Sequence, residues 1–195
     1  MAKWTFDEDA AQAAGRSGGI SECGVYYGVF TEAKLFSAPN GAKGVEFTFE
    51  ESDAGRKCRY IRVFTRKNDG DKAFGWGLVN ALMGLLKLKA MDDAQIGEDS
   101  NGEPVMGFPA LCDRPIGVML QREEYWKNNG ELGWKMNIVN FIDVQTNKTY
   151  HEMTNDKKAT AWQQKIVTRP PQGEPPKKHG VDVNPASTRG DDLPF

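Results

Sequence analysis

The sequence predicts a mainly β fold: a five-stranded Greek-key barrel with one helix between its third and fourth strands, followed by a disordered C-terminal tail. Three observations carry this. Five segments alternate apolar and polar side chains with a period of two, the spacing of a strand with one buried face. One segment, Phe74 to Leu86, instead spaces its apolar residues as a helix does. From Arg169 onward the chain has almost nothing to bury.

The elements follow in order. The stretch to about Gly19 is rich in alanine and glycine, and Ala10 to Ala14 could form a short helix that Gly15 stops. Val25, Tyr27, Val29, Thr31, Ala33 and Leu35 alternate with Tyr26, Gly28, Phe30, Glu32, Lys34 and Phe36, giving a long first strand. Ser37-Ala38-Pro39-Asn40-Gly41 has turn chemistry. Val45, Phe47 and Phe49 form the apolar face of a second strand, and Ser52-Asp53-Ala54-Gly55 turns the chain again. Lys57 to Thr65 reads as a third strand, with Ile61 and Val63 on one face and Tyr60, Arg62, Phe64 and Arg66 on the other. The helix follows, its stripe formed by Phe74, Leu78, Ala81, Leu82, Leu85 and Leu86; glycines at 75, 77 and 84 weaken it. Asp92 to Gly107 is polar and reads as a loop. A fourth strand begins at Ile116, Asn128-Asn129-Gly130 marks a hairpin, and Leu132, Trp134, Met136, Ile138, Asn140 and Ile142 make one face of a fifth. Asp156 to Val167 reads as a closing helix with Asn155 as its cap. Three strands, a helix and two strands is the order of the OB-fold, which binds oligonucleotides and oligosaccharides. An SH3-like barrel or an α+β layer fold fits the same order.

The chain divides into a body, residues 1–168, and a tail, residues 169–195. The tail opens Arg169-Pro170-Pro171-Gln172-Gly173 and cannot offset the entropy of ordering its backbone, so it is expected to be a flexible spacer. Composition sets further limits. Charged residues make up 27 % of the chain against 39 % hydrophobic, and the longest apolar run, Ala81 to Leu86, is far too short to span a bilayer. The N-terminus has no apolar signal core, and three widely spaced cysteines (Cys23, Cys58, Cys112) do not make a disulfide framework, so a reducing cytoplasm is expected, with no membrane. Two histidines leave little for a His-based metal or catalytic cluster. A formal net charge of −2 excludes a uniformly basic nucleic-acid binder but not a locally basic one.

Local basicity is concentrated in the third strand. Gly55 to Asn68 carries Arg56, Lys57, Arg59, Arg62, Arg66 and Lys67 with no acid among them. Tyr60 and Phe64 share a face with Arg62 and Arg66. Cations along a phosphate track and flat rings for bases are what single-stranded nucleic acid requires. The competing reading is a solvated charged strand whose aromatics belong to the core. Tyr26 and Phe30 sit on the non-core face of the first strand and join the candidate surface. So do Trp126, Lys127 and Lys135 around the last hairpin, a loop that borders the OB-fold groove. Trp134 alternates with Met136 and Ile138 and is assigned to the core.

The last five residues, Asp191-Asp192-Leu193-Pro194-Phe195, are the most specific signal. They resemble the acidic tip of bacterial single-stranded DNA-binding proteins, which typically ends Asp-Asp-Ile-Pro-Phe; Leu193 is the one departure. The Pro/Gly-containing segment before them is similar to that family's linker. The body looks more like the OB-fold single-stranded DNA-binding proteins of tailed bacteriophages, through its strand order, Gly24-Val25-Tyr26 at the start of the first strand and Phe64-Thr65-Arg66 at the end of the third. The resemblance implies a non-catalytic protein that coats single-stranded DNA in replication, recombination or repair. It also implies a tip that recruits a helicase, primase, polymerase, nuclease or recombination mediator, and that competes with DNA for the basic groove. Physically, Phe195 offers a ring and a terminal carboxylate to a pocket, Pro194 lowers the ordering cost, and Asp191 and Asp192 steer toward a basic rim.

No enzyme signature competes. The acidic pairs Asp92-Asp93, Glu123-Glu124 and Asp191-Asp192 lack calcium-loop spacing or a common face. There is no phosphate loop and no nucleophile elbow, and no cysteine has metal-ligand spacing. No catalytic residue, metal or cofactor is therefore expected. Two other classes stay open: a metal-dependent nuclease or recombination enzyme that carries the same tip, and a protein-only adaptor. The sequence leaves open the oligomeric state, a homo-oligomer included, and the choice between DNA and RNA.

Overall fold

The computed structural model describes residues 18–176. The helix expected at Ala10 to Ala14 and the acidic tip Asp191 to Phe195 lie outside the described residues. Among the described residues there are seven strands and two short α-helices: β1 (Gly24–Ser37), β2 (Lys43–Glu51), β3 (Lys57–Arg66), α1 (Phe74–Leu85), β4 (Ala94–Glu98), β5 (Pro104–Gly107), β6 (Ile116–Trp126), β7 (Leu132–Ile142) and α2 (Tyr150–Thr154). No helix among the described residues is long and apolar enough to cross a membrane.

The ladders between the seven strands are all antiparallel, and β1 is the hub of one open sheet. Its Gly28 to Ser37 pair with β2, which pairs in turn with β3. On the opposite edge, Gly24 to Gly28 pair with β6, which carries β7, and Lys34 meets Gly107 of β5. β3 and β7 therefore end the two wings. They lie side by side, but no ladder joins them and the sheet is not closed. The five long strands and the helix after the third stand where the alternation placed them. The segment Asp92 to Gly107 does not: it is the β4–β5 hairpin. Its turn is set by Gly102 at φ 80° and by the Asp99 carboxylate, which accepts from the Asn101 and Glu103 amides. Every β4 residue is exposed, so no alternation announced the strand.

The core is a cluster of large side chains between the two wings. Phe30 is fully buried, its ring 4.5 Å from Phe47, 5.7 Å from Phe49 and 6.0 Å from Phe141. This corrects the assignment of Phe30 to the outer face, and Tyr26 with it. A bulge between Phe30 and Glu32 is the reason. Before it the even positions Tyr26, Gly28 and Phe30 point inward; after it the odd position Ala33 does. One extra residue flips the side-chain parity, and apolar residues of both parities hid the flip. Gly28 sits at the crossing of β1 with both neighbours, where a Cβ would collide with the Glu50 carbonyl oxygen.

α1 lies on β3, brought close because Gly75 rests against the Phe64 carbonyl. Its buried line runs through Gly75, Val79, Leu82 and Leu85, so the stripe is turned from the expected one and Phe74 is 85 % exposed. The closing helix also differs. α2 starts at Tyr150, with Thr149 as its cap and Asn155 at its C-terminal end. The Thr149-x-x-Glu152 capping box fixes that start.

Beyond α2 a 3-10 turn at Ala161–Gln163 leads into a stretch that runs along β6 from Val167. Val167 accepts from the Gln121 side chain, the Arg169 amide donates to Arg122, the Arg169 carbonyl accepts from Glu124, and Gly173 accepts from the Trp126 indole. The spacer expected to begin at residue 169 is thus bound to the body through Gly173. It covers the edge that β6 exposes past its pairing with β1, a common protection of an open sheet edge.

Candidate nucleic-acid interface

The basic stripe of β3 is on the surface, but half of it is neutralised. Register sets Glu46 opposite Arg62 and Glu50 opposite Lys57. Arg62 meets Glu46 at 2.6 Å and Lys57 meets Glu50 at 2.9 Å. Arg56 reaches Glu51 with two nitrogens, at 2.7 and 3.0 Å, and lies over the Tyr26 ring. Inward-facing Val45, Phe47 and Phe49 leave β2 with outward glutamates, so its alternation compensates its neighbour's charge. Arg59, Arg66 and Lys67 make no ion pair among the described residues.

Tyr60 and Phe64 are presented outward, 71 % and 42 % exposed. Alternation with Ile61 and Val63 already turns Tyr60 outward, and a second bulge sets Arg59 beside it. Cys58 and Ile61 both point inward, opposite Phe49 and Phe47, so Arg59 and Tyr60 share the extra position. Tyr60 adopts a left-handed φ of 60° there. Phe64 packs edge-on against Phe36, centroids 5.0 Å apart.

Tyr60 does not stand alone. The unpaired seam between β3 and β7 opens there into a groove of about 700 Å³, lined by Lys57, Arg59, Tyr60, Trp134 and Lys135, with Gly18, Gly19, Ile20 and Met136 among its other residues. Trp134, assigned to the core from its alternation, is 46 % exposed. It keeps the parity of Met136 and Ile138, but β7 outruns the core and the ring faces the groove. Arg122 lies over it, 5.0 Å from the centroid. Lys135 is 3.6 Å from Glu123.

The other expected residues are elsewhere. Tyr26 is buried, its hydroxyl donating to the Glu22 carbonyl, and Phe30 is in the core. Burial pushes the Tyr26 phenol up in pKa, against the opposing pull of Arg56. Trp126 lies under the C-terminal strap and Lys127 pairs with Glu131 at 3.3 Å; neither lines the groove. Arg62 and Phe64 line a second hollow of about 480 Å³ farther along the seam, with Phe74, Leu78, Val139 and Arg169. Sequence reading missed the exposure of Trp134 and Phe74 because each continues an apolar pattern at the point where its element leaves the core. The Cys58 thiol is pushed up to about 11 by burial. Among the described residues no three His, Cys, Asp or Glu side chains gather as a metal-binding group.

No known family model matches the sequence, and no curated protein is detectably similar to it.

Proposed function

We propose that the protein is a non-catalytic, largely sequence-independent single-stranded DNA-binding protein. It coats exposed strands during replication, recombination or repair and recruits partner enzymes through Asp191 to Phe195. The observation that carries the reading is the groove itself: two exposed rings, Tyr60 and Trp134, with Lys57, Arg59 and Lys135 around them. Bases stack on such rings at about 1–3 kcal/mol each, whatever the base. We also read the five long strands as an open OB-type barrel. In support, β1 pairs with both β2 and β6, the longer of the two helices among the described residues follows β3, and β3 and β7 meet at the seam where the groove lies. The tip reading rests on the sequence alone.

Because Arg56, Lys57 and Arg62 already have carboxylate partners, stacking supplies more of the affinity than the stripe suggested. Within the β3 stripe, Arg59, Arg66 and Lys67 have no acid partner among the described residues, and these three alone imply a log–log salt slope near about −2, from about −0.7 per phosphate contact on a single strand. The test is titration with oligo-thymidine at several salt concentrations, followed by tryptophan fluorescence, with duplex DNA as control. Salt-sensitive quenching by the single strand and not by the duplex supports the reading. Silence here and in a second binding method at low salt refutes it and leaves a protein-only adaptor acting through its tip.

A further inference from the structure

The far end of β3 carries a row of like charges that the fold does not balance. Register places Lys43 of β2 directly opposite Arg66 of β3. An isolated antiparallel bridge places Lys72 directly opposite Arg66 on its other side. Ser37 of β1 continues the row beyond Lys43. Residues directly opposite in an antiparallel pair turn their side chains to the same face, and like charges there repel. Nearer the groove the same geometry sets Glu50 against Lys57 and Glu46 against Arg62; here it sets a lysine on both sides of an arginine. Lys43, Arg66, Lys67 and Lys72 form no ion pair among the described residues. The nearby Asp69 carboxylate is engaged by the Asp71 amide. Arg66 and Lys72 both lie over the Trp76 ring, at 4.7 and 5.0 Å from its centroid. An aromatic face holds cations in place without neutralising them. Lys43, Arg66 and Lys67 line an open hollow of about 450 Å³, with Asp69 as its one acidic residue.

We propose that this corner is a second phosphate-binding site, occupied by the backbone of the strand whose bases stack on Tyr60 and Trp134. The inference rests on the single-strand reading and extends it. A phosphodiester removes the repulsion that the row creates, with the Arg66 fork taking phosphate oxygens and the lysines acting as point charges. From Tyr60 to Arg66 the strand rises about 20 Å. The bound chain therefore runs the outer length of β3, past Arg62 and Phe64.

The test compares the full chain with its Lys43→Glu/Lys72→Glu variant, using oligo-thymidines of about 4 to about 16 nucleotides, the usual site sizes of an OB-fold. Thermal unfolding is followed with and without inorganic tripolyphosphate. The expected result has three parts. The variant is as stable as the parent or more so, because repulsion is relieved. Its affinity for the longest oligonucleotide falls, with a salt slope shallower by about 1.4, two contacts at about 0.7 each. Quenching by the shortest oligonucleotide is unchanged. If the parent binds the long strand and the variant binds it with the same affinity and slope, the second site is overturned and the groove stands. If the parent binds no single strand but tripolyphosphate stabilises it and not the variant, the nucleic-acid reading is overturned and the corner is a site for free polyphosphate. If the parent binds no single strand and tripolyphosphate does not stabilise it, both fall.

Discussion

Tyr60 holds a left-handed backbone conformation that costs a non-glycine residue about 1–2 kcal/mol. Its ring is nevertheless largely in solvent. Strain beside an exposed aromatic separates the demands of fold and function at one residue. In Tyr60→Gly the relief of strain offsets glycine's usual entropic cost in a strand, so stability changes by no more than about 1 kcal/mol. Binding to oligo-thymidine, if the ring stacks a base, weakens by about 1–3 kcal/mol. Trp134→Ala is expected to lose binding by a similar amount. Paired urea unfolding and fluorescence titration check both, and normal affinity in both variants would remove the groove from consideration. Phe30→Ala is the contrasting case. Its ring is surrounded by Phe47, Phe49 and Phe141, so its removal costs about 3–5 kcal/mol of stability by urea unfolding.

At the scale of elements, α2 and the strap that follows it are held by two devices of different kinds. The first is the Glu152 carboxylate. It is buried and accepts from the Thr149, Thr160 and Ala161 amides and from two threonine hydroxyls. Burial alone raises its pKa, but these donors outweigh it and hold the group at about 2, below the ordinary 4.5. A depressed carboxylate stabilises the fold fully above its unfolded pKa, and the contribution is lost as pH falls through the folded one. Glu152→Gln is therefore expected to unfold more easily at neutral pH, by about 1–3 kcal/mol for the donors left unsatisfied. The gap between variant and parent narrows from about pH 4.5 down to about pH 2. A gap that stays constant across that range would disprove the assignment. The second device is the strap on β6. Arg169→Pro removes the amide that donates to Arg122. It is expected to speed hydrogen exchange at the Glu124 amide, by up to about tenfold for a net bond of about 0.5–1.5 kcal/mol.

For the molecule as a whole, charge is arranged by neighbours rather than by region. Cross-strand glutamates neutralise one half of β3, while the other half ends in an unbalanced row. The strap keeps the chain against β6 at least to Gly173, so the segment leading to the tip departs from a defined place on the body. Deleting Asp191 to Phe195 is expected to leave single-strand affinity equal or stronger, since a competing anion is lost, and to abolish capture of partner enzymes. Binding titration and pull-down from a replication extract read the two effects separately. A large loss of DNA affinity on deletion would contradict a division of labour between body and tip.

Local pattern was enough to show where the long strands run and that one helix follows the third, because burying one face of a strand or helix leaves a period in the chain. The docking role proposed for Asp191 to Phe195 rests on local pattern alone, since it needs only adjacent residues. Three other features came from distant parts of the chain meeting. Bulges at Phe30/Glu32 and at Arg59/Tyr60 changed which residues face outward, and a bulge depends on the partner strand's register. Trp134 became a groove residue because β7 extends past a core built by other elements. The charge on β3 was legible, but its compensation by Glu46, Glu50 and Glu51, and its reinforcement by Lys43 and Lys72, depend on which residue stands opposite which. Pairing across a sheet is a long-range choice made by packing the whole core, and no single strand encodes it.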